Sequence, residues 1–256
     1  MITFRPCGGL GNLLFQHHAA YSFARDNKLK LSALGRYPEK RICIADYYKL
    51  FSHVTILDSI GSIDYQEPSL KYSTIPSNAR NIQGYFQSWK YFDKYRIEIR
   101  DLLRNNEKEL FETQQNKYND ISQGKKTVCV HIRRGDYLES PGTYPLMDES
   151  YYETAMSHFA SHRFIVFCED MHLVNHWDVW KKYDVHIVDE PSALGTFFLM
   201  SCCDHFIIAN SSLSLAAYYG RTNEDALLIV PKHWYVPGNG IQYRLEEMCD
   251  RIFLKL

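Results

Sequence analysis

Hydrophobic and polar positions change rhythm along the chain, and each change marks an element. Ile2 to Pro6 reads as a short strand, followed by the turn Cys7-Gly8-Gly9-Leu10-Gly11-Asn12. From 13 to 27 the chain has a helical rhythm, with Leu14, Ala20 and Phe23 among its apolar positions, so the opening predicts strand, glycine-rich turn and helix. A second strand is expected at about 29–34, ending in Gly35-Arg36. Residues 36–80 are less periodic and carry several Tyr, Pro and Ser residues, which suits loops and short elements. Asn81 to Trp89 reads as a strand running into a helix, and 90–118 as helical with a break near Asn105-Asn106. The polar run 116–126 is the best candidate for a domain boundary.

Beyond it, strands near 127–133, 163–168, 185–188, 205–209 and 227–230 alternate with helices near 149–160, 172–182, 192–203 and 212–219. That alternation predicts a parallel, doubly wound α/β sheet. In such a sheet the carboxyl ends of the strands carry the ligand-binding loops.

Composition narrows the class. With 256 residues, 45% of them hydrophobic, the chain can bury one large core or two small ones. A net charge of -1 gives no electrostatic footprint for nucleic acid or an anionic membrane. No apolar run approaches the ~20 residues that span a bilayer, and the first residues lack a secretory apolar region. Seven scattered cysteines, two of them adjacent at Cys202-Cys203, do not form a disulfide framework. The expectation is a cytoplasmic protein with at most peripheral membrane contact.

Candidate chemistry gathers at the strand ends. The strand through Val128, Val130 and Ile132 enters His131-Ile132-Arg133-Arg134-Gly135-Asp136-Tyr137. Arginine's planar, permanently charged fork suits phosphate oxygens. The alternative is a surface Arg–Asp pair on an edge strand. Phe164 to Cys168 ends in Glu169-Asp170, where either carboxylate can accept the adjacent N–H donors of guanine, or Asp170 can cap a helix. Phe206 to Ala209 enters Asn210-Ser211-Ser212-Leu213-Ser214, a phosphate cradle at a helix start or an ordinary serine cap. The turn at Gly8 to Asn12 suits an anion or a sugar, or is only a tight turn needing positive φ. Its G-G-x-G spacing, with no acidic residue ending the next strand, disfavours a nicotinamide dinucleotide. The aromatic and amide side chains of 85–89 suit a sugar surface or a core equally. No D-x-D occurs. The i, i+4 pairs His158/His162 and His172/His176 lack a third ligand, so no metal site is expected.

In order along the chain stand Gly8-Gly9-Leu10-Gly11-Asn12 with Phe15-Gln16, Gly84-Tyr85-Phe86-Gln87-Ser88 with Lys90-Tyr91-Phe92, and His131 to Tyr137. Tyr151-Tyr152, Phe167-Cys168-Glu169-Asp170, Leu199-Met200-Ser201-Cys202 and Ile207 to Ala217 complete the set. This ordered set resembles the family 11 glycosyltransferases, the α-1,2-fucosyltransferases. The resemblance implies a GT-B-like α/β fold of two Rossmann-like lobes with a cleft between them. Residues 1–120 would form the acceptor-side lobe and 125–256 the nucleotide-sugar lobe. It further implies inverting, metal-independent transfer of L-fucose from GDP-fucose, as donor substrate and with no cofactor, to a glycan hydroxyl such as the 2-hydroxyl of a galactoside. Other donors (another GDP-deoxysugar or GDP-mannose) and a catalytically silent glycan- or sugar-nucleotide-binding protein are the alternatives.

By the same resemblance, Arg133, Asp136 and Asn12 carry catalysis. The donor contacts are Gly11, Asn12, His131, Arg133, Arg134, Glu169, Asp170, Asn210, Ser211, Ser212 and Ser214. Asp136 and Glu139 are candidates for an acceptor base by proximity. The chain departs from the family pattern at Leu13, His17-His18, Cys168-Glu169, Leu213 and Leu215-Ala216.

Overall fold

In the computed structural model, which describes residues 1–35 and 44–256, the chain forms two compact units. The first is Met1–Glu109 with Gln242–Asp250; the second is Leu110–Ile241 with Arg251–Leu256. Arg36, noted above at the end of the second strand, lies outside the described residues.

The first unit opens with β1 (Ile2–Phe4), α1 (Leu10–Asp26) and β2 (Leu31–Leu34). The short strands β3 (Thr55–Leu57), β4 (Tyr65–Gln66) and β5 (Asn81–Gln83) follow. The helix α2 (Arg96–Asn106) closes this run, and Leu245–Met248 later adds a short helix. All strand pairs are parallel, in the order β3-β2-β1-β5-β4. The neighbours of β1 therefore diverge, and its carboxyl end with that of β5 forms the point where the winding reverses. The helix α1 starts at Leu10, three residues earlier than its periodicity suggests. Asn81 to Trp89 leads into a 3-10 turn at Trp89–Tyr91 rather than a helix.

The helix α3 (Lys108–Ser122) crosses the junction at Glu109–Leu110. Residues 116–122, polar enough to look like a linker, complete this largely exposed helix.

The second unit continues with β6 (Thr127–Ile132), α4 (Glu149–Ser157), β7 (Arg163–Cys168) and β8 (Val185–Ile187). Then come α5 (Ala193–Ser201), β9 (His205–Ile207), α6 (Ser212–Tyr219), β10 (Leu228–Val230) and β11 (Ile252–Lys255). The sheet is all parallel, in the order β11-β10-β9-β6-β7-β8. This is the doubly wound order, reversing between β6 and β9. Every residue of β6 is buried, as a central strand covered on both faces requires. Val128, Val130 and Ile132 pack with Tyr152, Met156, Phe164 and Val166 in the core.

The two parallel sheets are the α/β, two-lobe architecture expected above. A further element differs. The segment 172–182 forms two 3-10 turns, Met171–Leu173 and Asp178–Lys181, not a helix. The Val179 N–H is taken by the Glu149 carboxylate at 2.8 Å instead of a helical carbonyl. His172 and His176 consequently share no helix face, and His158 is already the C-cap of α4.

Candidate functional site

In the second unit the winding reverses between β6 and β9, and the loops after those two strands carry the densest polar chemistry. Arg133 leaves the end of β6 with its guanidinium 2.6 Å from Asp136 Oδ1 through Nη2 and 2.9 Å from Glu169 Oε2 through Nη1. The Tyr137 ring lies beneath it, 5.3 Å from centroid to guanidinium carbon. Burial works against this cation, but the charges of Glu169 and Asp136 more than offset it and raise its pKa. The Arg133 side chain is 23% exposed, whereas Asp136 and Glu169 are 48% and 71% exposed. A mostly covered cation with water-facing counter-ions can exchange a carboxylate for another anion at small cost, since exposed ion pairs contribute under about 1 kcal/mol.

The neighbouring side chains hold this loop in place. Arg134 donates to Met147 O at 2.6 Å and stacks 5.2 Å over Trp177. It is committed to the scaffold. Asp170 precedes a 3-10 turn without capping it; its Oδ2 accepts the Gly135 N–H at 2.8 Å. The Tyr137 hydroxyl donates to Asn210 O at 2.8 Å, joining the loop after β6 to the loop after β9. Tyr137 also stacks on Tyr144, with ring centroids 4.1 Å apart.

His131 is buried, and its Nδ1 finds no hydrogen-bond partner among the described residues. Burial, reinforced by the Arg133 charge, lowers its pKa to about 3, so the ring is neutral.

Across the reversal point, Asn210 is buried and gives its side-chain amide to Trp234 O (2.9 Å) and Pro145 O (3.2 Å). Ser211 stands at the N-cap of α6, and no side chain caps that helix. Ser214 is buried and donates to Ser211 O at 3.2 Å. Ser211 and Ser212 thus stand at a helix start whose first amides favour an anion, on the same side of the sheet as Arg133.

The first unit also concentrates polar groups at its reversal point, between β1 and β5. Gln16, from α1, donates to Cys7 O and accepts Cys7 N–H, each at 3.0 Å, which fixes the turn after β1. Gly8 has φ +77, and the Asn12 side-chain amide fills the space where a Cβ would stand. Asn12 Oδ1 accepts from Gln87 Nε2 at 2.6 Å. Gly11 is buried within the first turn of α1. The segment open to both readings divides: Phe86, Gln87 and Ser88 are buried, whereas Tyr85 is exposed.

Sequence reasoning missed Glu67. It is 8% exposed, and its Oε2 accepts the backbone N–H groups of Tyr85 and Phe86 at 2.8 Å each. Burial raises its pKa to about 7 against the opposing effect of those amides and the Tyr91 hydroxyl. In sequence it is one of several acids scattered through an aperiodic stretch.

Among the described residues no group of three His, Cys, Asp or Glu is placed to hold a metal ion, and six cysteines are free. No described helix is long and apolar enough to cross a membrane.

Residues 37–238 match the family described as Glycosyl transferase family 11. The chain is 25% identical to the O-antigen biosynthesis glycosyltransferase WbnK of Escherichia coli, over 91% of this chain and 94% of that one. It is 23% identical to an alpha-1,2-colitosyltransferase of Escherichia coli, over 92% of each. In fold it resembles the crystal structure of the fucosyltransferase NodZ from Bradyrhizobium, with TM-score 0.54, 12% identity, and coverage of 88% of this chain and 96% of that one.

Proposed function

The chain belongs to glycosyl transferase family 11, and on that footing we propose that it moves L-fucose from GDP-fucose to a glycan hydroxyl, the 2-hydroxyl of a galactoside being the expected acceptor. That it is a glycosyltransferase follows from the family; donor, acceptor, inversion at the anomeric carbon and independence of a metal belong to the proposal. So does a cytoplasmic location with at most peripheral membrane contact. The observation that carries it is the Arg133 guanidinium at the reversal point of a doubly wound sheet, held by two carboxylates that water can reach.

When the bond between fucose and the diphosphate opens, positive charge grows on the sugar ring and negative charge on the departing phosphate. A guanidinium about 4 Å from that oxygen contributes on the order of 4 kcal/mol at an effective dielectric near 20. Because this charge develops only in the transition state, the interaction accelerates the chemical step. In this reading the donor diphosphate takes the place of the exposed Glu169 on Nη1, while Asp136 keeps the fork oriented through Nη2. The start of α6, with Ser211 and Ser212, supplies further donors to the diphosphate. Asp170 holds the guanine, and its bond to Gly135 N–H ties that base site to the arginine loop. Asn12, steadied by Gln87, serves the transferred sugar.

The test is turnover with chelator present, pairing GDP-fucose, GDP-mannose and UDP-sugars with simple galactosides, for the wild type, Arg133→Ala and Arg133→Lys. At ~1.4 kcal/mol per tenfold, losing most of the guanidinium's contribution costs Arg133→Ala roughly two to three decades in rate. Arg133→Lys recovers little, because a point charge cannot replace the fork. Near-wild-type rates in either variant would remove the proposal. A second reading, another GDP-linked deoxysugar as donor, is favoured by the relative named alpha-1,2-colitosyltransferase; the same donor panel, extended to deoxysugars, decides between them.

A further inference from the structure

One buried carboxylate plays no part in the chemistry described so far. Glu67 follows β4 and clamps two successive backbone amides, Tyr85 and Phe86, with a single oxygen. Those amides belong to the turn after β5. Phe86 is held there at φ +52, a left-handed conformation strained for a bulky residue. The fit is close: a Cβ on Gly84 would overlap the Glu67 side chain and approach its Oε2 to 2.7 Å. The next residue, Gln87, is buried and reaches Asn12 Oδ1. The other side of the Asn12 amide fills the space left by Gly8. Carboxylate, strained turn, glutamine and asparagine thus form one continuous chain of contacts within the first unit.

We propose that Glu67 is a positioning residue for the transfer: by clamping the Tyr85 and Phe86 amides it sets Gln87, and through Gln87 it sets the side-chain amide of Asn12. This rests on the reading that places Asn12 at the transferred sugar. Glu67 is surrounded by the Tyr91 hydroxyl from the 3-10 turn Trp89–Tyr91, the two amides, and the Phe86 ring, which stacks on Tyr65 and meets Tyr91 edge to face. Tyr91 is itself raised in pKa, by burial first and then by the Glu67 charge, and stays protonated. The Glu67 carboxyl, with its pKa near 7, is therefore the group that changes charge around neutrality. Ionised, it binds two amides more strongly than the neutral acid does, because hydrogen bonds to a charged acceptor are about twice as strong.

The test compares the full-length wild type with Glu67→Gln, which keeps an oxygen acceptor of the same reach but cannot ionise. In NMR spectra of protein labelled with nitrogen-15 at Tyr, Phe and Gln, the backbone amides of Tyr85 and Phe86 and the side-chain amide of Gln87 should titrate together near pH 7. All three should stay flat in Glu67→Gln. In turnover, the wild type should show a kcat limb rising through pH 7, and Glu67→Gln should hold the wild-type low-pH kcat at every pH. Its KM for the donor and its GDP affinity should change less than twofold. Gln87→Leu should reproduce the kcat loss while the Tyr85 and Phe86 amides still titrate. A Gln87 amide that ignores the titration, or a Glu67→Gln enzyme that retains the limb, overturns the assignment. The NMR arm needs no substrate, so absence of turnover with every donor would strike the functional reading alone.

Discussion

Replacing Glu67 with glutamine should stabilise the first unit at alkaline pH relative to acid, and the size of the change follows from burial. The carboxyl is 8% exposed, and its pKa rises from 4.5 to about 7 on folding. Below 4.5 both folded and unfolded chains hold the proton. Between 4.5 and 7 the unfolded chain releases it first, so the contribution to stability is complete below 4.5 and is lost as pH rises through 7. The difference between the two pKa values corresponds to about 3 kcal/mol. Glutamine has no such loss. Any fixed cost of exchanging a carboxylate for an amide is the same at every pH, so the gap between variant and wild type should move by about 3 kcal/mol in the variant's favour between pH 4.5 and 8.5. Urea titrations across that range measure it, with amide exchange in β1 and β5 reporting the first unit alone. A gap constant to within about 0.5 kcal/mol would show that the carboxyl is solvated, and the reasoning would fail. The sign is informative beside the kinetic expectation, since a variant that is steadier at pH 8 yet slower marks a residue held at a cost in stability for function.

His18 titrates in the opposite sense. Burial, opposed by its bond to Leu14 O, lowers its pKa from 6.5 to about 4, so its contribution is present above 6.5 and is lost as pH falls through 4. That loss is about 3 kcal/mol and should vanish in His18→Phe, as read by the pH dependence of the urea midpoint. Tyr137→Phe keeps the ring under Arg133 but removes the bond to Asn210 O. It should cost about 1 kcal/mol in stability and weaken GDP binding by less than tenfold by calorimetry, while Tyr137→Leu, which also loses the ring, should weaken it further. Equal GDP affinities for all three proteins would dismiss any role of the Tyr137 ring and hydroxyl in setting Arg133 for the donor.

The second sheet was legible from its sequence because its signals are local. The apolar run of β6 and the motif that follows occupy ten consecutive residues, Val128 to Tyr137, and the serines announce the start of α6 within five. What escaped depends on partners distant in the chain. Glu67 acquires its role from amides 18 and 19 residues away, and Tyr137 from a carbonyl 73 residues away. The segment 172–182 imitates a helix because Val174, Trp177 and Trp180 fall three residues apart and pack on the core. Its backbone is diverted by the Glu149 side chain, and Asp170 spends its carboxylate on Gly135 rather than on a cap. Polarity between 116 and 122 suggested a linker, yet an exposed helix needs few apolar positions.

The route of the last fifteen residues has a practical corollary. Gln242–Asp250 returns to the first unit and brings the Leu245–Met248 helix, in which the Glu246 carbonyl accepts the Trp89 indole N–H at 3.1 Å; β11 then completes the edge of the second sheet. Trimming the protein after residue 241 would therefore damage both halves at once. Severing it at the 109–110 junction would yield an amino-terminal fragment missing one of its own helices. Anyone wishing to study either half in isolation must re-route the polypeptide, by permutation or by grafting the tail, rather than simply cut it.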